Sequence, residues 1–265
     1  MTQPKSPWDP AQYERFKGER SRPFFDLLAL VRPRPGMRVV DLGCGTGELT
    51  RELHLRLGAA ETVGVDSSES MLASSASFAG EGLRFERGAI EAWAPHGELD
   101  LIFSNAALQW VEDHPSLLAR LRRALRAGGQ LAVQVPANQD HPSHAAAQEV
   151  AREAPFRDVL EGFERTVPNL KVEEYRVLLD RLGFVDADAR LQVYGHSLAS
   201  RDEVVEWVKG TFLTDYARRM PADLYVRFLD RYRELLLPRL EDQKPYFYPF
   251  KRILFWGEVG EGRDG

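Results

Sequence analysis

The segment that most restricts how this chain can fold lies between residues 38 and 57. Here the apolar pattern Arg38-Val39-Val40-Asp41 runs straight into Gly43-x-Gly45-x-Gly47 and then into apolar residues at helical spacing over 48–57. Strand, glycine turn and helix in immediate succession open a βαβ unit, and glycines at such a turn let a ligand approach backbone amides that a Cβ would screen. Further strand patterns follow at 62–66, 83–86, 99–104 and 130–135, and helical patterns at 68–79 and 115–126 lie between them, the last ending at Gly128-Gly129. That alternation calls for a parallel sheet, and right-handed crossovers make it doubly wound with helices on both faces.

The flanks read differently. Asp9-Pro10 is a cap followed by proline at the first helical position, which starts a short helix through Phe16. Ser21 is placed to cap a second helix whose face carries Phe24, Leu27, Leu28 and Val31, before Pro33 and Pro35 end it. Beyond Pro136 the pattern is mainly helical, at 171–182, 201–209 and 221–237, with strands expected at 190–196 and 248–259. The expected organisation is N-terminal helices over 1–35 covering a ligand site, a core over 36–199 and 246–259, and a helical cap over 200–245 inserted before the last strand. Residues 260–265 read as a frayed tail.

The spacing of the glycines narrows the ligand. A dinucleotide site wants glycine where Glu48 stands, and no Gly-Lys-Ser/Thr follows the loop to cradle phosphates. A ligand with an ammonium, a sulfonium and a ribose but no phosphate, S-adenosyl-L-methionine, fits an acidic glycine turn. Asp41 closes the first strand, and Asp66 ends the second about 20 residues beyond the glycines, where a carboxylate reaches ribose hydroxyls.

Val39-Val40-Asp41-Leu42-Gly43-Cys44-Gly45-Thr46-Gly47 resembles motif I of the class I S-adenosylmethionine-dependent methyltransferases, and Val63-Gly64-Val65-Asp66-Ser67-Ser68 resembles their second-strand motif. The resemblance implies a Rossmann-like, seven-stranded, mostly parallel sheet, with the donor held by Asp41, Gly43, Cys44, Gly45, Asp66, Ser67 and Asn105. After the third strand the family's acidic residue for adenine is replaced by Ala89, so that contact passes to backbone at Ala89 and Ile90, or to Glu91. Further patches are similar to the trans-aconitate 2-methyltransferase family: Trp8-Asp9-Pro10, Tyr13, Glu19-Arg20-Ser21-Arg22-Pro23, Asp100-Leu101-Ile102-Phe103-Ser104-Asn105-Ala106, Leu108-Gln109-Trp110, Ala132-Val133-Gln134-Val135-Pro136 and Pro249-Phe250-Lys251-Arg252. That family esterifies one carboxylate of a tricarboxylic acid.

A carboxylate acceptor is ionised at pH 7, since its pKa lies near about 4, so it needs no general base and no catalytic dyad is expected. Its charges call for guanidinium or ammonium partners. Arg20, Arg22, Lys251 and Arg252 are the candidates, with Arg252 and Arg22 foremost, against the alternative of solvated surface charge. Gln109 and Trp110 follow the fourth strand at the carboxyl edge, where open α/β sheets bind ligands. Tyr246 and Tyr248 either close the pocket or pack.

The remaining signals exclude more than they assert. A net charge of -5 disfavours nucleic acid as a partner. Cys44 is the sole cysteine and sits in the donor loop, so no intrachain disulfide is possible and no nucleophilic role is assigned. No signal peptide or membrane span is read from the sequence, which makes the cytoplasm the expected location and a monomer or weak dimer the expected state. His141-Pro142-Ser143-His144 lacks a third ligand and reads as a solvated loop, not a metal site. His114 reads as a helix cap. Two rival functions stand: methylation of another small-molecule acid or of a hydroxyl, which would need a base, and a donor-binding sensor or scaffold with an obstructed pocket.

Overall fold

Strands buried on both faces read as unbroken apolar runs, and β1 (Arg38–Leu42) and β4 (Leu99–Asn105) have that character, with nearly every residue buried. They are the middle of a seven-stranded sheet in the order β3-β2-β1-β4-β5-β7-β6. The other strands are β2 (Glu61–Asp66), β3 (Leu83–Arg87), β5 (Leu125–Pro136), β6 (Phe184–Leu198) and β7 (Tyr246–Val259). Strands β1 to β5 pair in parallel, and β7 runs antiparallel to β5 with Trp256 opposite Ala132. The mostly parallel doubly wound sheet expected from the sequence is therefore present.

The computed structural model describes residues 17–94 and 98–260, without the side chains of residues 17–20. The expected first helix through Phe16, the Trp8 and Tyr13 positions and residues 261–265 lie outside the described residues. The helices are α1 (Lys17–Leu28), α2 (Glu48–Leu57), α3 (Glu69–Ser75), α4 (His114–Arg123), α5 (Pro142–Arg152), α6 (Phe156–Val159), α7 (Val172–Arg181), α8 (Asp202–Lys209), α9 (Thr214–Arg219) and α10 (Ala222–Leu236).

The chain divides into two compact units. The sheet unit comprises 20–136, 168–192 and the segment from Arg252. Phe24, Leu27 and Val31 pack in its core against Val39, Leu101, Phe103, Leu254 and Trp256. The helical unit comprises 137–167 and 193–251, a wider span than an insertion over 200–245. Its own core gathers Ala147, Val150, Trp207, Phe228, Tyr232 and Tyr248.

Three local expectations are corrected. Ser21 lies inside α1, which also contains Pro23, so it is not a cap; burial of Pro23, Phe24 and Leu27 carries the helix past a residue that lacks a donor. The helix before β5 ends at Arg123, three residues earlier than its pattern suggests, and Gly128-Gly129 belongs to β5. There the pairing register with β4 shifts between Leu99 and Leu101, Gly128 takes φ 70°, and its carbonyl accepts from Arg34 Nη1 at 2.7 Å.

In the glycine loop, Gly43 has φ 81° and a Cβ there would lie 2.1 Å from Ala107 Cβ; Gly47 has φ 80° and a Cβ would lie 2.7 Å from the Phe85 ring. Both are glycine because protein packs against them. Gly45 has φ 57°, but a Cβ on it would meet nothing within 4 Å among the described residues. Gly43→Ala is expected to lower unfolding free energy by about 2 to 4 kcal/mol, from overpacking plus a left-handed backbone. Gly45→Ala carries only the backbone strain, about 1 kcal/mol. Denaturant unfolding of both variants checks the ordering.

Candidate active site

The glycine loop is fastened to β2 rather than to its own strand. Gly43 N–H and Cys44 N–H both donate to the Val65 carbonyl, at 2.8 and 3.1 Å. One residue on, the Asp66 carboxylate accepts from Gly45 N–H at 2.9 Å through one oxygen and from Ser68 N–H at 2.8 Å through the other. The turns after β1 and β2 thus share one anion. Ser67 lies exposed between those two contacts, and Ser68 caps α3 by accepting from Met71 N–H. Of the three loop glycines, Gly45 alone borders open space among the described residues, so it is the position at which a ligand can meet bare backbone.

Asp41 is 4% exposed and accepts a 2.6 Å hydrogen bond from the Thr50 hydroxyl. Burial, opposed by that bond and aided by the nearby Asp66 charge, pushes its carboxyl up to about 7. The same burial and the two carboxylates push the Cys44 thiol far above its ordinary value, which keeps it protonated and leaves it a small packing residue.

The segment after β3 carries Ala89 and Ile90, and its shape is set by a residue that sequence reasoning passed over. Arg120, on α4, donates to the Ile90 carbonyl at 2.7 Å and to the Trp93 carbonyl at 3.0 Å. Ala92 N–H takes the Ala89 carbonyl, and Gly88 N–H takes the Asp66 carbonyl. The Ile90 side chain lies 3.8 Å from where a Gly43 Cβ would stand, so this loop borders the glycine turn. Nothing in the local pattern around Arg120 signals a contact 30 residues away.

After β4, Ala106 takes φ 54° and leads into a short turn holding Gln109 and the largely exposed Trp110. Gln109 Nε2 donates to the Ala106 carbonyl at 2.7 Å. Asn105 Oδ1 and Gln109 Oε1 are buried acceptors with no partner among the described residues. His114 is not the cap of α4; Asp113 is, accepting from Ser116 N–H at 3.1 Å. The His114 ring is buried, with Nε2 on the Leu108 carbonyl at 2.9 Å and Nδ1 on the Tyr175 hydroxyl, and burial lowers its pKa. It fixes the turn before Gln109.

Among the basic candidates, Arg252 is 7% exposed and donates through Nη1 to Gln134 Oε1 at 3.2 Å on the neighbouring strand β5. Arg22 has a side chain 71% exposed, 3.9 Å from Asp26. The side chain of Arg20 lies outside what is described. Within the helical unit, Lys251 forms an ion pair with Asp140, and Tyr246 and Tyr248 are core residues, the latter accepting from Asn138 Nδ2 at 3.3 Å. His141 to His144 is the start of α5 rather than a solvated loop. Ser143 Oγ bonds both rings, at 2.8 and 3.2 Å, and burial lowers their pKa values to about 4 and about 3. Among the described residues no group of His, Cys, Asp and Glu could hold a metal ion, and no helix is long and apolar enough to cross a membrane.

Arg120→Met should free the loop at Ile90 and Trp93, since each charged hydrogen bond contributes roughly 1.5 kcal/mol even when partly solvated. Faster amide exchange across residues 88–94, with β1 and β4 unchanged, is the expected result. Unaltered exchange would deny Arg120 that role.

A methyltransferase domain family matches residues 39–129, which span β1 to the start of β5. A protein of Deinococcus radiodurans named trans-aconitate 2-methyltransferase is 46% identical over 94% of this chain and 96% of its own length. Proteins of the same name from Variovorax paradoxus and Mycobacterium sp. (strain KMS) are 41% and 37% identical, over 93% and 96% of this chain and 94% and 100% of their own lengths. Among solved structures, YcgJ of Bacillus subtilis superposes with a TM-score of 0.60 at 18% identity, covering 90% of this chain and 98% of that one. Phosphoethanolamine N-methyltransferase 2 of Haemonchus contortus, solved with S-adenosyl-L-methionine, gives 0.57 at 17% identity over 94% of this chain and 56% of that one. The fold is shared with these structures, and the near full-length identity to named relatives places this chain in the trans-aconitate 2-methyltransferase family.

Proposed function

We propose that the protein transfers a methyl group from S-adenosyl-L-methionine to one carboxylate of trans-aconitate or a closely similar tricarboxylic acid. The observation that carries the donor half is the open backbone at Gly45 beside the Asp66 carboxylate; the acceptor half is supported by the names of relatives matched along almost the whole chain. When bound, the donor supplies an electrophilic methyl group on a sulfonium. Asp66 is the ribose partner, Gly43 to Gly45 and Asp41 flank the methionine part, and Asn105 Oδ1 is a buried acceptor suited to an ammonium. Ser67 adjoins the ribose, and the backbone of Ala89 and Ile90 takes the adenine.

The chain's own task at the acceptor is alignment. A carboxylate brings its nucleophilic oxygen already ionised, and correct placement alone can supply about 7 to 11 kcal/mol of barrier lowering. Arg252, buried beside the end of β5, is the leading carboxylate partner, and Gln109 and Trp110 line the same edge of β4. A hydroxyl acceptor would need a base, and His114, which follows the turn after β4, has both ring nitrogens engaged, by Leu108 and Tyr175. The small-molecule acid is therefore favoured over the hydroxyl. The near full-length match to relatives named as enzymes counts against a donor-binding sensor or scaffold.

Labelled donor and a panel of organic acids test the reading directly, with methyl ester formed on a tricarboxylate and not on simple alcohols as the expected result. Asp66→Ala should weaken donor binding by about 1.5 to 3 kcal/mol in calorimetry, the range for a lost charged hydrogen bond. Arg252→Ala should raise KM for trans-aconitate by about one to two decades, whereas exposed Arg22→Ala should change it by less than about fivefold.

Donor affinity should also depend on pH through Asp41. Below its pKa of about 7 the carboxyl is protonated, and a cationic donor favours the ionised form. The complex then holds fewer protons than the free protein, so affinity rises with pH, by up to about tenfold per unit below pH 7, and levels above it. Asp41→Asn should remove the slope. A flat wild-type profile between pH 5.5 and 8 (roughly the window around that pKa) would exclude the linkage.

A further inference from the structure

Strand β5 carries two fully buried glutamines, Gln130 and Gln134, on the same face of the sheet. Gln130 is satisfied at both of its polar side-chain atoms. Its Oε1 accepts from Arg32 N–H at 2.8 Å and from Trp256 Nε1 at 3.0 Å, while its Nε2 donates to the Arg32 carbonyl at 2.8 Å. Gln134 is not. Its Oε1 accepts from Arg252 Nη1, and its Nε2 has no partner among the described residues.

The direction of that amide is settled by chemistry. A guanidinium only donates, so the oxygen and not the NH2 group must meet Arg252; turning the amide round would oppose two donors. A buried donor without an acceptor costs about 1 to 3 kcal/mol, and native interiors keep few of them. The surroundings offer a reason for this one. Gln134 stands at the carboxyl end of β5, in register with Asn105 of β4 and Leu254 of β7, and its carbonyl accepts from Ala106 N–H at 2.9 Å. It is therefore joined to the turn that carries Gln109 and to the strand that carries Arg252. An anion paired with the Arg252 guanidinium would lie within the reach of the same amide.

We propose that Gln134 is an acceptor-binding residue: its Oε1 holds the Arg252 guanidinium in orientation while its Nε2–H donates to a carboxylate oxygen of the substrate. The inference rests on the carboxylate reading of the acceptor given above. A cation and a neutral amide donating together favour a carboxylate over a hydroxyl or an ester, because the carboxylate offers two charged oxygens and stronger charge-assisted bonds.

Gln134→Glu and Gln134→Met separate this role from packing. The glutamate keeps an oxygen for Arg252 but replaces the N–H donor with an anion; the methionine is close in volume and offers neither group. Steady-state kinetics with trans-aconitate, calorimetry with S-adenosyl-L-methionine and thermal melts are run on both. Expected are a KM for trans-aconitate raised about ten- to hundredfold in Gln134→Glu and about tenfold in Gln134→Met, with donor Kd within about twofold. If the glutamate variant does not fold, the methionine variant decides alone. A folded variant with KM within about twofold of wild type, or one with a lower Tm and kcat but the same KM, overturns the proposal. Failure of the parent reading looks different: wild-type protein that binds the donor but methylates no acid of the panel removes the carboxylate acceptor and this role together.

Discussion

The Asp66 carboxylate is the contact on which the donor side depends. Its two oxygens accept from Gly45 N–H and Ser68 N–H, so a single anion joins the turn after β1 to the cap of α3. Parallel strands bring those two turns to the same edge of the sheet, yet nothing in parallel pairing fixes their conformation. The glycines do that from the other side. Gly43 and Gly47 are pressed by Ala107 and Phe85, which forces the loop to bend where Gly45 is left uncovered. Packing thus makes the opening, and the carboxylate holds it.

A second carboxylate deepens the same field. Asp41 is buried at the end of β1, and the charge of Asp66 is one cause of its raised pKa. Two acids beside one turn, Asp41 in β1 and Asp66 at the end of β2, are unfavourable neighbours without a cation between or beside them. A ligand carrying an ammonium and a sulfonium relieves that repulsion, and a phosphorylated cofactor would add to it. The electrostatics of the turn therefore argue for the same donor class as the absent lysine of a phosphate loop does.

The sheet and its glycine turn were legible in the sequence because strand runs, glycine spacing and helical periodicity all agree there. The errors fall where a local signal was overruled at a distance. Ser21 looks like a cap, but Pro23 and Phe24 are buried and keep α1 going through it. Gly128-Gly129 looks like a helix stop, but Arg34, far along the chain, binds the Gly128 carbonyl within a bulged strand. His114 was read by its place before Pro115, whereas Tyr175 and Leu108 determine what it does. Arg120 gave no signal, and Gln134 stood only within a family-like patch, since an arginine on a helix and a glutamine in a strand are ordinary until their partners are known. Arg22 and Arg252 looked equivalent by type, and burial separates them.

Those long-range contacts also decide where a proton can move. His114, His141 and His144 all have pKa values lowered by burial, and each has a ring nitrogen engaged by a neighbouring side chain. They are neutral at pH 7 and serve as hydrogen-bonding struts. Cys44 is held as the thiol and the Tyr175 hydroxyl is pushed upward, again by burial. Asp41, at about 7, is a group whose charge changes near neutrality, and it belongs to the donor turn. An enzyme that had to deprotonate its acceptor would place that titration at the acceptor, next to the reacting oxygen. Here the edge of β4, β5 and β7 offers an amide, a guanidinium and a tryptophan instead, groups that bind and orient an anion without exchanging a proton with it. Such groups suit an acceptor that arrives already ionised, and the raised pKa of Asp41 links pH to the donor turn.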